Sequence, residues 1–140
     1  MRQSAILYDA DCGFCKWTLA KLLAWDRRRR LHPVSLQDPQ ANALLRGMED
    51  ERKMRSWHLV GADGTIYSAS EAAAPLVRLL PGGRPLAAVL SSLPRTTQCL
   101  YAWVAASRGR LGPLVSRAAV ARAEKRIDER ASATAPRHVW

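Results

Sequence analysis

The chain has 140 residues, the length of one domain, and is large enough to bury a core without cross-links. Lys and Arg number 22 against 12 Asp and Glu, a formal charge of +10, and 48% of residues are hydrophobic, which excludes a disordered or fibrous chain. The charge is uneven: residues 1–83 carry 12 basic and 9 acidic groups, residues 84–140 carry 10 and 3. An anionic partner would therefore meet mainly the C-terminal part.

In chain order, Ser4-Ala5-Ile6-Leu7-Tyr8 is a short apolar run bounded by Asp9 and a turn-prone Ala10-Asp11-Cys12-Gly13, which predicts a strand buried on both faces. From Cys15 the apolar positions Cys15, Leu19, Leu22 and Leu23 form a helical stripe that runs into Arg27-Arg28-Arg29-Arg30, cations that suit a helix C-terminus. Leu31 to Gln37 reads as a second strand. Asp38-Pro39 then opens a helix to about Met48. Glu49 to Arg55 is charged and loop-like.

Trp57-His58-Leu59-Val60 and Thr65-Ile66-Tyr67-Ser68 flank Gly61-Ala62-Asp63-Gly64, the pattern of an antiparallel hairpin. Ser70 is placed to cap a helix with Ala73, Leu76, Val77 and Leu80 inward, stopped by Pro81-Gly82-Gly83. Pro85 to Leu93 and Gln98 to Ser107 read as short helices, the second with Cys99, Leu100, Trp103 and Val104 on one face. Beyond Gly112-Pro113 an Ala and Arg-rich stretch predicts an exposed helix over Leu114 to Arg130 with a weak apolar stripe, and Ala131 to Trp140 reads as a frayed tail. The order strand, helix, strand, helix, strand, strand, helix is that of a thioredoxin-like α/β fold: a small mixed sheet flanked by helices over residues 1–112, followed by a basic helical extension over 113–140.

Cys12-Gly13-Phe14-Cys15 lies where a buried strand turns into a helix, and three residues of separation bring both sulfurs to one side of the first helical turn. Disulfide exchange needs a thiolate, and the unpaired N–H groups at a helix start favour that anion. Asp11 opposes it, while Lys16 and the helix end support it. Cys12 precedes the regular helix and is expected to be the exposed nucleophile; Cys15 begins the inward stripe and is expected to be the shielded resolving thiol. Asp9 has two roles open to it, accepting or relaying the Cys15 proton and capping the turn by accepting backbone N–H groups. Zinc needs four ligands, and only Cys99, His32, His58 and His138 are added by the rest of the chain, none with paired spacing. A CxxC beside a strand-helix-strand pattern points to redox chemistry, with no bound metal or cofactor implied.

Tyr8-Asp9-Ala10-Asp11-Cys12-Gly13-Phe14-Cys15-Lys16-Trp17 resembles the DCC family of thiol-disulfide oxidoreductases, named for a DxxCxxC motif that Asp9, Cys12 and Cys15 match. The resemblance extends more weakly through Trp57 to Ser70, the Ser70-Glu71-Ala72 helix start and Tyr101-Ala102-Trp103-Val104-Ala105. It implies a thioredoxin-like fold and a protein or small-molecule thiol or disulfide as substrate. One departure stands out: thioredoxins place a cis-proline before the strand facing the active site, whereas Met54-Arg55-Ser56 precedes Trp57 here.

Other residues carry weaker signals. Cys99 reads as a small core residue, and His58 as a satisfied structural histidine in a strand. Trp17 and Trp25 are expected to be partly buried, with Trp17 near enough to the thiols to line a substrate groove. The arginine runs raise a second reading, a basic module binding nucleic acid or an anionic surface with a structural CxxC, for which clustered cations would give weak, non-specific affinity. Against it, 18 of the 22 basic residues are Arg in an Ala-rich chain, and no nucleic-acid motif accompanies them. Met1-Arg2-Gln3-Ser4 leads into no export signal, and Pro85 to Pro94 and Thr96 to Ser107 fall short of a bilayer span, so a cytoplasmic chain without a transmembrane segment is expected.

Overall fold

The buried run predicted at the N-terminus is the centre of the sheet. In a computed structural model, which describes residues 3–45, 48–55 and 57–134, β1 spans Ser4–Tyr8, is followed by α1 over Gly13–Trp25, and pairs in parallel with β2 over Leu31–Ser35. On its other side β1 pairs antiparallel with β3 (His58–Val60), which pairs antiparallel with β4 (Ile66–Ser68), giving the order β2-β1-β3-β4. The β3–β4 turn closes as predicted: Thr65 N donates to Asp63 Oδ1 at 3.0 Å, and Gly64 takes a φ of 89° that suits glycine.

Alternation along β1 places its side chains on opposite faces. Ile6 joins Leu19, Leu23, Leu31, Leu59, Leu76 and Leu80 on one face, whereas Ala5 and Leu7 join Val34, Leu36, Ala41, Leu45 and Val60 on the other. The second face is covered by α2 (Pro39–Leu44), with Asp38 as its cap accepting from Gln40 N at 2.9 Å. The first face carries α1 and α4 (Ala73–Leu79). With strands, helices and a mixed four-stranded sheet in this order, the fold is α/β and thioredoxin-like, with a helical C-terminal part.

Several boundaries differ from expectation. α1 stops at Trp25, because Asp26 caps it and turns the chain; Arg27, Arg28 and Arg29 lie exposed in the connection to β2, and Arg29 adopts a φ of 52°. α2 ends at Leu44 rather than near Met48. Asp50–Arg55 forms a short helix, α3, instead of a loop, because its helix-forming residues gain a buried anchor: Lys53 Nζ donates to Asn42 Oδ1 at 2.6 Å. The α4 region begins with a 3-10 turn over Ala69–Ala72 whose N-cap is Ser68, so Ser70 sits inside the turn rather than at its cap. Gly83 ends that region of necessity, since a Cβ there would lie 1.9 Å from the Val77 carbonyl oxygen.

α5 (Arg84–Ser92) and α6 (Pro94–Leu111) follow, and a 3-10 turn at Gly112–Leu114 leads to α7 over Arg117–Thr134. α7 reaches four residues past Arg130, into the stretch read as a frayed tail; residues 135–140 lie outside the described chain. Nor is it an exposed helix. The weak stripe at Val120, Ala123 and Ile127 is enough to seat it along α1: Ala123 and Ile127 are buried, and Val120 meets Gly13.

At the far end the guanidinium of Arg130 donates to Asp26 Oδ2 at 2.8 Å and to the Leu23 carbonyl at 2.9 Å. Asp26 is wholly buried, and its carboxylate also accepts from Arg30 N at 3.1 Å and Leu31 N at 2.9 Å. Removing the cation would leave a buried carboxylate with only part of its partners. Arg130→Ala is therefore expected to lower unfolding free energy by about 3 kcal/mol, measured by urea denaturation, whereas exposed Arg126→Ala is expected to change it by less than about 0.5 kcal/mol.

Candidate active site

The chain leaves β1 at Tyr8 and reverses through a turn fixed from both sides. Asp9 Oδ1 accepts from Asp11 N at 2.9 Å, and Cys12 N donates to the Asp9 carbonyl at 3.2 Å. Gln37, just beyond β2, holds the turn from the neighbouring strand: its Nε2 donates to Asp9 Oδ1 at 2.8 Å and its Oε1 accepts from Ala10 N at 3.1 Å. Ser35 Oγ donates to the same Oε1 at 2.8 Å, which fixes which way the amide points.

Cys12 emerges from this turn as the N-cap of α1, in extended conformation, with its Sγ accepting from Cys15 N at 3.2 Å. Sulfur thus takes the place that a serine or aspartate oxygen fills at an ordinary helix start, accepting an N–H of the first turn. Cys15 lies in that same turn. Both cysteines are half-exposed and neither is in a disulfide, so the contrast in exposure expected from the sequence is replaced by a contrast in position: Cys12 caps the helix, and Cys15 lines a cleft.

Of the other candidates, Asp9 stands next to the pair and plays the capping role, while its side also lines the cleft with Cys15. Lys16 does not turn to the thiols; its ammonium pairs with Glu124 on α7. Trp17 is partly buried, stacks on Phe14 with centroids 6.2 Å apart and carries Lys21 over its ring, so Phe14 rather than Trp17 lines the cleft. Cys99 is exposed on α6, contrary to the core reading, as are Leu100, Trp103 and Val104; α6 rests on α5 and the 3-10 turns, and Leu100 and Val104 border the open cleft instead of closing onto the core. His58 is distant in role from the thiols. It is buried, with Nδ1 2.7 Å from Ser68 Oγ and Nε2 2.9 Å from the Lys53 carbonyl, as a satisfied structural histidine should be. His138 and Ser56, the latter in the position before Trp57 where a thioredoxin carries its proline, lie outside the described residues, among which no peptide bond is cis.

Three contributors went unnoticed in the sequence. Gln37 gave no signal, since a glutamine after a strand is unremarkable until its partners are known. Gly13 permits close approach of α7: a Cβ there would stand 3.2 Å from Val120 Cγ2. Tyr8 lies between the cleft and a small polar recess shared by α1 and α7, and burial, followed by the nearby carboxylates of Asp128, Glu124 and Asp38, pushes its phenol above the ordinary value, so it stays protonated.

The chain belongs to the DCC1-like thiol-disulfide oxidoreductase family, whose model matches residues 6–113 and so takes in the whole turn, the CxxC pair and every wall of the cleft. Neither a curated protein nor a solved structure matches the chain. Among the described residues no helix is long and apolar enough to cross a membrane. Of the C-terminal arginines, Arg130 is spent on the interior carboxylate of Asp26.

The burial of His58 gives a pH signature. Desolvation first, and then the Arg52 cation, hold its pKa below the ordinary 6.5, outweighing the Lys53 carbonyl that favours protonation. Unfolding restores the ordinary value, so the unfolded chain takes up a proton that the folded one refuses, and the stability from neutral His58 is present above pH 6.5 and lost as pH falls through the lower, folded value. His32, also depressed by burial, contributes in the same direction. Urea midpoints are expected to fall between pH 7 and pH 5, and His58→Gln, though less stable throughout, is expected to show a shallower fall.

Proposed function

We propose that this protein exchanges disulfides through Cys12 and Cys15, with Cys12 as attacking thiol, Cys15 as resolving thiol and Asp9 as the proton partner of the second step. The observation that carries the assignment is the position of Cys12 Sγ at the N-cap of α1, 3.2 Å from Cys15 N. A thiolate there gains a hydrogen bond and the positive end of the helix dipole, and it is already beside the residue that must displace it. The family supports the reaction class.

In the first step the Cys12 thiolate bonds one sulfur of the substrate disulfide and the other leaves as a thiolate, which takes a proton from water. In the second, Cys15 loses its proton and bonds Cys12 Sγ, and the substrate's remaining sulfur departs. Asp9, held by Asp11 N and Gln37 Nε2 on one carboxylate oxygen, is anchored within the same turn and lines the cleft wall with Cys15, which is the support for its part in moving that proton.

Two substitutions test the division of labour. Cys15→Ser is expected to keep the attacking thiol and strand it, so mixed disulfides accumulate on a non-reducing gel after acid quenching, whereas Cys12→Ser gives few. Equal trapping by the two variants would show that the N-cap position does not set the order. Asp9→Asn is expected to lengthen the life of the mixed disulfide at neutral pH, with the effect shrinking as pH rises and Cys15 ionises unaided.

A further inference from the structure

Beside Cys15 the molecule holds a cleft of about 340 Å³. Phe14 and Cys15 on α1 form one wall, Tyr8 and Trp57 the sheet side, and Leu100 and Val104 on α6 the opposite wall. A cleft of this size, apolar apart from a few polar groups, has the form of a site for a small molecule. α6 rests on α5 and the 3-10 turns, and its Leu100 and Val104 stand across the gap from core residues Ile6 and Leu19. Its wall residue Leu100 remains 57% exposed, an apolar surface that an apolar ligand would cover.

A helix on either side makes the cleft a poor receptacle for the surface of a folded protein and a good one for a narrow group. Cys15 is in the cleft wall, and Cys12, outside the wall itself, is next to it in the same turn, with Sγ 3.2 Å from the Cys15 nitrogen. We propose that the cleft seats the apolar body of a small-molecule disulfide, aliphatic or aromatic, while its sulfur exchanges with Cys12; this rests on the oxidoreductase reading above. For a substrate R–S–S–R, the Cys12 thiolate bonds one sulfur, the S–S bond breaks, and the first R–S⁻ takes a proton from water. Cys15 then bonds Cys12 Sγ, and the second R–S⁻ leaves with the proton that Cys15 gave up. The substrate gains two electrons, the cysteine pair loses them as it closes to a disulfide, and an external dithiol such as dithiothreitol returns the pair to the reduced state in the assay.

The test is a series of symmetric dialkyl disulfides from methyl to pentyl, with kcat/KM for the full chain divided by the rate of the uncatalysed exchange of each with dithiothreitol. The ratio is expected to rise about four-fold per methylene, the equivalent of about 0.8 kcal/mol for each one buried. Leu100→Asp, at a site exposed enough to leave the fold intact, is expected to flatten the series below about two-fold per methylene. Trp103→Gln, on the same helix but outside the cleft wall, is expected to keep the parent's slope. A flat series in the parent, with all disulfides still reduced, would overturn the proposal and leave the oxidoreductase reading standing. Preference for a disulfide-linked peptide over the pentyl compound would overturn it in favour of a protein substrate. Reduction of none of them, in protein whose thiols titrate as free, would defeat the oxidoreductase reading and the proposal with it.

Discussion

One buried carboxylate organises the part of the molecule that holds the thiols. Asp26 ends α1, its side chain accepts the N–H groups of Arg30 and Leu31 that begin the return to the sheet, and it receives the guanidinium of Arg130 from α7. A buried ion pair contributes little stability by itself, because desolvation opposes the attraction. Its effect here is on placement. Arg130 also donates to the Leu23 carbonyl near the end of α1, and to the Asp26 carbonyl, which accepts from Arg29 N as well, so α7 cannot slide without breaking these bonds.

The consequence is felt at the opposite end of α1. With Arg130 at Asp26, Glu124 at Lys16 and Val120 at Gly13, the two helices run side by side in the same direction, and α7 braces the first turn that carries Cys12 and Cys15. From the other side Gln37 clamps the preceding turn to the end of β2. The Cys15 N–H that donates to Cys12 Sγ is thus held in direction from both sides of the turn. The cleft side is left unfilled, and Cys15 lines it.

Lys16 shows how tertiary contacts reassign a local charge. One residue from Cys15, it looks like support for the thiolate, yet its ammonium is taken by Glu124, more than a hundred residues away. What remains at the site is the helix terminus itself. The exposed α6 follows from similar logic: Leu100, Trp103 and Val104 are apolar at helical spacing, the usual sign of a core face, but the sheet face is already covered by α1, α4 and the Ile127 stripe of α7. An apolar stripe says that a helix has a preferred side, not that anything is there to meet it.

The elements set by short-range physics were legible in the chain. The bounds of β1 follow from an apolar run between polar turns, the β3–β4 hairpin from Gly61 to Gly64, the start of α2 from Asp38-Pro39, and the pairing of Cys12 with Cys15 from three-residue spacing at a strand-to-helix junction. The DxxCxxC residues likewise named the family that the chain belongs to. Asp26 with Arg130, 104 residues apart, Gln37 with Asp9, 28 apart, and the packing of α7 on α1 carried no such mark. Each depends on which surfaces the folded sheet leaves vacant, and on whether a buried polar group finds its partner. Such energies arise only once distant segments share one interior, so periodicity and caps determined the elements and the thiol pair, while tertiary packing decided what holds them and where the cleft beside them opens.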